Sequence, residues 1–349
     1  MKPCYFGCFA AVHRSFALAE SGSVAIPWVA MENEGNIGTR QAGRLSLGAA
    51  TACVVAAGAL WGCISLFVRA MNAAGLPSNE VSGVRMITAA VGLFLVLLAT
   101  DREKLRIRLR DLWLFVGTGV VSVTLFNISY FACMQMSEAS VAVVLLYTSP
   151  IWVMLMSAVV FKERITPLKL VALCMTLAGC VLVAGIFGGA VQLVPMAIVL
   201  GVASGVFYAT YSIFGRVALQ RYDTMTVTFY TFLMGALCAL FISNPAHIVQ
   251  VAVEQPGILA VYAGIGVLCT ICPYVLYTRG LQNMEPGRAA ILATVEPLVG
   301  SLLGIFAYGE SAGPVKIAGM VLIFAAVLLL NVRPDGGGSH GDGDSLAQP

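Results

Sequence analysis

Residues 147–166 read YTSPIWVMLMSAVVFKERIT, and residues 293–311 read ATVEPLVGSLLGIFAYGES. Set over one another with a shift of 147 residues, the interval from Pro150 to Pro297, they place proline on proline and Glu163 on Glu310. The match runs outward in both directions without a gap. Upstream it pairs Gly58 with Gly205, Ser65 with Ser212, Phe67 with Phe214, Arg69 with Arg216 and Gly117 with Gly264. It continues through Gly119 with Gly266, Tyr130 with Tyr277, Gln135 with Gln282 and Glu138 with Glu285. Downstream it pairs Pro167 with Pro314 and Lys169 with Lys316. Chance agreement between apolar sequences would match Leu and Val. Agreement in Gly, Pro and charged residues marks a duplicated unit.

Both copies are strongly apolar. Of the 349 residues, 59% are hydrophobic and 11% charged, against about 25% charged in ordinary soluble domains. Runs long enough to cross a bilayer as helices fall near 45–68, 78–99, 112–134, 139–160, 167–187, 194–215, 224–243, 257–278, 286–308 and 314–331. Lipid offers the backbone no hydrogen-bond partner, so these runs are helices. The reading is an all-α integral membrane protein of ten transmembrane helices, with too little sequence left over for a soluble catalytic domain. The first five-helix repeat spans 45–187 and the second 192–331. Residues 1–44 form an N-terminal tail, of which 1–30 are expected to lie upstream of a native start at Met31. Residues 332–349, rich in Gly, Asp and Ser, read as a disordered tail.

Ten spans put both termini on one side. Of the 20 lysines and arginines, that side receives all but Arg69, Arg85 and Lys316. It includes the basic loop DREKLRIRLRD (101–111), which suits contact with anionic lipid. The positive-inside rule therefore places both termini in the cytoplasm. Five helices per copy also mean that the second copy starts on the opposite side. The halves are then inverted about a pseudo-twofold axis in the membrane plane, the construction of many secondary transporters.

The two quoted stretches resemble the EamA repeat, as do AGALWGCISLFVRA (57–70) and VRMITAAVGLF (84–94). From about 45 to 331 the chain is similar to the EamA branch of the drug/metabolite transporter superfamily. That resemblance implies ten helices with cytoplasmic termini. It also implies an inner-membrane exporter of amino acids or similar small metabolites in a bacterial cell.

Transporter sites gather where helices break at matching positions of the two halves. Pro150 and Pro297 are such a pair: each removes a donor and frees the carbonyl four residues back, of Leu146 and Ala293. A kink that only shapes packing is the other reading. Glu296 lies beside Pro297 near mid-membrane, where a charge costs about 2.5–3.5 kcal/mol. Such a residue suits substrate binding or proton coupling; the alternative is a protonated carboxyl joining helices by a hydrogen bond. Arg85, roughly 10 Å into the second span, either lines the cavity or snorkels outward, and Glu80 one turn away is a candidate partner. Arg85 and Glu296 together would hold the two ends of a zwitterion. Trp61, Ser65, Asn127, Tyr130, Tyr208, Ser212 and Tyr274 are candidate lining residues, with Tyr147, Tyr211 and Tyr230 as further candidates; for any one aromatic, packing is the alternative. Gly58/Gly62, Gly201/Gly205 and Gly300/Gly304 read as points of close helix contact. Glu163 and Glu310 read as local caps or pairing groups.

The ten cysteines lie mostly in apolar stretches and read as small hydrophobes. The lone Cys269-x-x-Cys272 is a weak metal or redox signal, and no histidine falls in a span. There is no GxxxxGK[ST] for direct ATP use, and no HExxH or GxSxG for hydrolysis. The leading function is therefore a non-enzymatic secondary transporter without cofactor, working by alternating access on a small molecule in the lipid bilayer. An intramembrane enzyme and a non-transporting receptor or assembly subunit are the alternatives. Proton coupling against simple facilitation, and homodimer against monomer, stay open.

Overall fold

The computed structural model describes residues 45–185, 194–311 and 313–332. Residues 1–44 and 333–349, which contain the expected tails, lie outside the described residues, as does most of the link between the repeats. Among the described residues, ten helices are long and apolar enough to cross a membrane. In chain order they are α1 (Leu47–Ala73), α2 (Ser78–Thr100), α3 (Leu109–Met136), α4 (Ala139–Phe161), α5 (Pro167–Ala184), α6 (Pro195–Ala218), α7 (Thr224–Ile242), α8 (Ile258–Asn283), α9 (Pro286–Tyr308) and α10 (Pro314–Asn331). The protein is thus a multi-pass helical membrane protein of two five-helix repeats. Every sequence-derived span has its helix.

Helix starts follow ordinary capping chemistry. Ser46, Thr166 and Asp223 each accept a hydrogen bond from an orphan N–H of the first turn of α1, α5 and α7. Proline opens α5, α6 and α9 at the positions where its missing N–H costs nothing. The C-termini of α4 and α9 correspond under the repeat. Lys162 (φ 55°) and Gly309 (φ 66°) take the left-handed conformation. Glu163 and Glu310, next in sequence, donate their N–H back to Ser157 and Gly304. This turn aims both glutamates at the start of the following helix.

Loop contacts show which segments share an end of the bundle. At one end, Leu45 donates its N–H to Asn283, Thr226 bonds the Lys104 carbonyl, and Arg288 bonds the Leu330 carbonyl. This terminal end holds the start of α1 and the end of α10. At the far end, Arg69 pairs with Glu310 and Asn79 bonds the Ile242 carbonyl. Helix packing obeys the inverted repeat. Among the extensive pairings are α5 with α10, α2 with α7, α1 with α8, and α3 with α6. Exchanging the halves turns α1–α8 into α6–α3 and maps the other two pairs onto themselves, as a pseudo-twofold axis requires.

Four helices depart from regular geometry at related places. α3 and α8 contain π-helical stretches, Val116–Thr124 and Val267–Ile271, a feature frequent at functional sites. α4 breaks between Ala139–Leu146 and Ser149–Phe161, and α9 between Pro286–Ala293 and Val295–Tyr308. Tyr147 in the first break and Thr294 in the second correspond under the 147-residue shift. Each break is covered by a glycine of an opposing helix: a Cβ on Gly58 would lie 2.6 Å from the Ala293 carbonyl oxygen, and one on Gly205 3.4 Å from that of Leu146. The carbonyls of Leu146 and Ala293 therefore meet glycine backbone, and the two glycine pairs on α1 and α6 serve the breaks.

Candidate functional site

A cavity of about 680 Å³ runs from the break in α9 to the far end of the bundle. Its inner end is formed by Glu296 and Pro297 of α9, Arg85 of α2, Tyr147 at the break in α4, Tyr274 of α8 and Tyr208 of α6. Trp61 and Ser65 of α1 and Asn127 and Tyr130 of α3 form the flanks. Arg69, Ser78, Glu310 and Lys316 stand at its mouth. About 300–1,000 Å³ is the usual range of a small-molecule pocket.

Glu296 occupies the first turn of the second half of α9. The Tyr147 hydroxyl lies toward its carboxyl, and Arg85 acts on it electrostatically. Arg85 donates through Nε to the Thr270 hydroxyl at 3.3 Å. Thr270 in turn bonds the Ile265 carbonyl across the π-helical turn of α8. This holds the guanidinium stem. No other hydrogen bond from the Arg85 side chain occurs among the described residues, and Arg85 lines the cavity. Asn127 is held between Ser82 (3.0 Å) and the Val123 carbonyl (2.6 Å). Ring contacts hold the aromatic wall together: Trp61 packs on Tyr274 at 5.2 Å between ring centres, and Tyr208 on Phe126 at 5.3 Å.

Beyond the inner end, toward the terminal end, the bundle is closed. Ser212 and Tyr277 hydroxyls bond at 2.8 Å, and Tyr211 bonds Thr278 at 2.7 Å. Arg216 bonds the Leu281 carbonyl. Below them Lys169, 1% exposed, bonds Glu163 at 3.0 Å, the Arg164 carbonyl at 3.1 Å and Glu285. At the mouth, Arg69 bonds Glu310 at 2.7 Å and stacks over the Tyr308 ring at 3.9 Å, and Lys316 bonds Glu310 at 3.1 Å. Lys316 and then Arg69 hold the Glu310 carboxyl below the usual carboxylate range.

Of the residues singled out in the sequence, Glu296, Arg85, Trp61, Ser65, Asn127, Tyr130, Tyr147, Tyr208, Tyr274 and Pro297 share this one cavity. Ser212 and Pro150 do not. Ser212 is buried against Tyr277, and Pro150 is buried in the second half of α4. Both lie in the closed half, whereas Ser65 and Pro297, their repeat partners, face the open one. Tyr230 bonds the Leu105 carbonyl at the terminal end and Tyr211 belongs to the closed layer. Glu80 pairs with His247 at 2.7 Å, not with Arg85; His247 comes from a short helix, Pro245–Glu254, between α7 and α8. The charged mouth was visible in the sequence only as repeat identities. Its role as a rim needs the fold. Cys269 and Cys272 are free thiols, and among the described residues no group of three His, Cys, Asp or Glu is placed to hold a metal.

A family model described as the EamA-like transporter family matches residues 48–185 and again 195–332. An uncharacterized transporter of Archaeoglobus fulgidus is 29% identical over 80% of this chain and 94% of its own length. The uncharacterized inner membrane transporter YicL of Salmonella typhimurium is 26% identical over 80% of this chain and 94% of its own. A solved crystal structure superposes with a TM-score of 0.69 at 19% identity, covering 82% of this chain and 98% of that one. It speaks for the fold alone.

Proposed function

Because the chain belongs to the EamA-like transporter family, we propose that it is a secondary transporter that exports amino acids or similar zwitterionic metabolites by alternating access. Transport as such follows from the family; the substrate class, direction and mechanism are our reading. The observation that carries it is the placement of Arg85 and Glu296, one from each repeat, at the inner end of one cavity. The Arg85 fork suits a carboxylate, the Glu296 carboxylate suits an ammonium, and the aromatic wall receives a side chain. The concentration of basic residues at the terminal end supports a cytoplasmic location for both termini in a bacterial inner membrane. The cavity then faces outward, and the state described is the one that releases exported substrate.

The same geometry accounts for coupling. A bare carboxylate at mid-membrane costs about 2.5–3.5 kcal/mol. An ammonium or a proton at Glu296 removes that cost and favours closure of the bundle around it. Substrate leaving and a proton returning satisfy that condition in alternate half-cycles, which is proton-coupled exchange.

The test is substrate-driven flux in proteoliposomes. A hydrogen bond to a charged group is worth about 1.5–3 kcal/mol, so Glu296→Gln lowers apparent affinity roughly 10- to 150-fold and removes the pH dependence of flux. Undiminished flux that keeps the wild-type pH dependence in the variant removes Glu296 from the mechanism.

A further inference from the structure

Four charged residues at each end of the bundle are repeat partners: Glu138, Glu163, Lys169 and Arg216 answer to Glu285, Glu310, Lys316 and Arg69. The inverted fold sorts them into two sets. Lys169, Glu163, Glu285 and Arg216 meet at the terminal end, and Lys316, Glu310, Arg69 and Glu138 belong to the far end. The two sets are chemically identical but differ in arrangement.

The terminal set is assembled. Lys169 joins Glu163 to Glu285, and Arg216 lies within electrostatic range of both glutamates. The Gly287 N–H, at the start of α9, also approaches Glu163 at 3.5 Å. The Lys169 side chain is 2% exposed and that of Glu163 5%. The far set is half assembled. Lys316 joins Glu310, and Arg69 joins Glu310, but Glu138 stands apart with Ser140 as its hydrogen-bond partner at 3.4 Å. There the Lys316 side chain is 20% exposed and that of Glu310 38%. The layer above repeats the contrast. Ser212 and Tyr277 are bonded, while their partners Ser65 and Tyr130 both line the open cavity.

We propose that the two sets are exchanging gates, and that a second state of this protein joins Lys316 to Glu138 and Ser65 to Tyr130 while it releases Lys169 from Glu285. The inference rests on the alternating-access reading but not on the substrate. Its reasoning is that of the repeat itself. Each half has the sequence to adopt either arrangement, so swapping the conformations of the halves closes the far end with the contacts now seen at the terminal end. Glu163–Lys169 and Glu310–Lys316 are held within one repeat and persist in both states. Glu285 and Glu138, each immediately before the broken helix of its own repeat, are the parts that make and break. The start of α4 is thereby the moving face of the far gate: the Ser140 N–H comes to Glu310 as that of Gly287 now comes to Glu163.

The test is zero-length carbodiimide cross-linking of the full chain in proteoliposomes, with Lys–Glu isopeptides mapped by mass spectrometry and flux measured on the same preparation. A Lys316–Glu138 isopeptide is expected in the wild type. Glu285→Gln should raise its yield about two- to fivefold, the population shift set by one half-exposed ion pair. Glu138→Lys, which sets like charges across the far gate and leaves the Glu310–Lys316 pair in place, should lower flux. Flux without any Lys316–Glu138 product, in wild type and in Glu285→Gln, overturns the exchange while leaving transport intact. The product without flux on any substrate upholds the exchange and counts against the transport reading instead.

Discussion

Adding one methyl group at Gly58 should cost far more than adding one at Gly300. Both glycines lie within helices, so the helix propensity gained on replacing Gly by Ala, about 1 kcal/mol, is common to both and cancels in the comparison. Their surroundings differ. A Cβ at Gly58 meets the Ala293 carbonyl oxygen and the Val295 Cγ1, each at 2.6 Å, whereas one at Gly300 meets nothing nearer than the Gly62 carbonyl oxygen at 3.6 Å. Ordinary contact begins at 3.4 Å, so Gly58→Ala must part α1 from the break in α9 by about 0.8 Å. One obstacle is backbone, which cannot rotate away. Overpacking of this kind costs about 1–3 kcal/mol, or roughly five- to 150-fold in the folding equilibrium. Reversible unfolding of both variants in mixed detergent micelles measures the difference directly. Equal stabilities for Gly58→Ala and Gly300→Ala would refute the claim that a glycine is needed where the α9 carbonyl is exposed.

Other outcomes follow from contacts at the two ends. Glu80, whose side chain is 6% exposed, depends on His247. His247→Ala should lower unfolding free energy by about 1–3 kcal/mol through the orphaned carboxyl, and His247→Gln should recover part of that in the same assay. Glu310 is held below the ordinary carboxylate range by Lys316 and Arg69. A depressed pKa stabilises the rim above the ordinary value of about 4.3, and that contribution is lost as pH falls through the lower, folded value. In infrared difference spectra against Glu310→Gln, the protonated carboxyl band should therefore appear only at a pH below that at which an ordinary glutamate carboxyl protonates.

The fold was legible because lipid leaves the chain few choices. Apolar runs became helices, and Gly, Pro and charge identities at one shift exposed the inverted repeat. The helices outrun their apolar cores where polar residues have work at the rim: α1 continues to Ala73 through Arg69 and Asn72, both at the cavity mouth. The prolines pointed to the breaks, but the breaks sit just upstream, at Tyr147 and Thr294. Proline belongs in the first turn of the helix that follows, where its missing N–H is no loss. Ser212 and Pro150 fell outside the cavity because a sequence with two equivalent halves carries no record of which half is open. The His247 partner of Glu80 was hidden for another reason. It arrives on a short helix in a loop, across 167 residues of chain, and nothing local to Glu80 signals it.

The central claim, that Arg85 and Glu296 grip the two ends of one zwitterion, is tested most directly by counterflow in proteoliposomes. The panel is the common amino acids, each beside its decarboxylated amine and its deaminated acid. The account predicts that at least one amino acid exchanges and that neither of its single-charge analogues does. An amine or acid that exchanges as fast as its parent, or a panel in which only hydrophobic cations move, would contradict it.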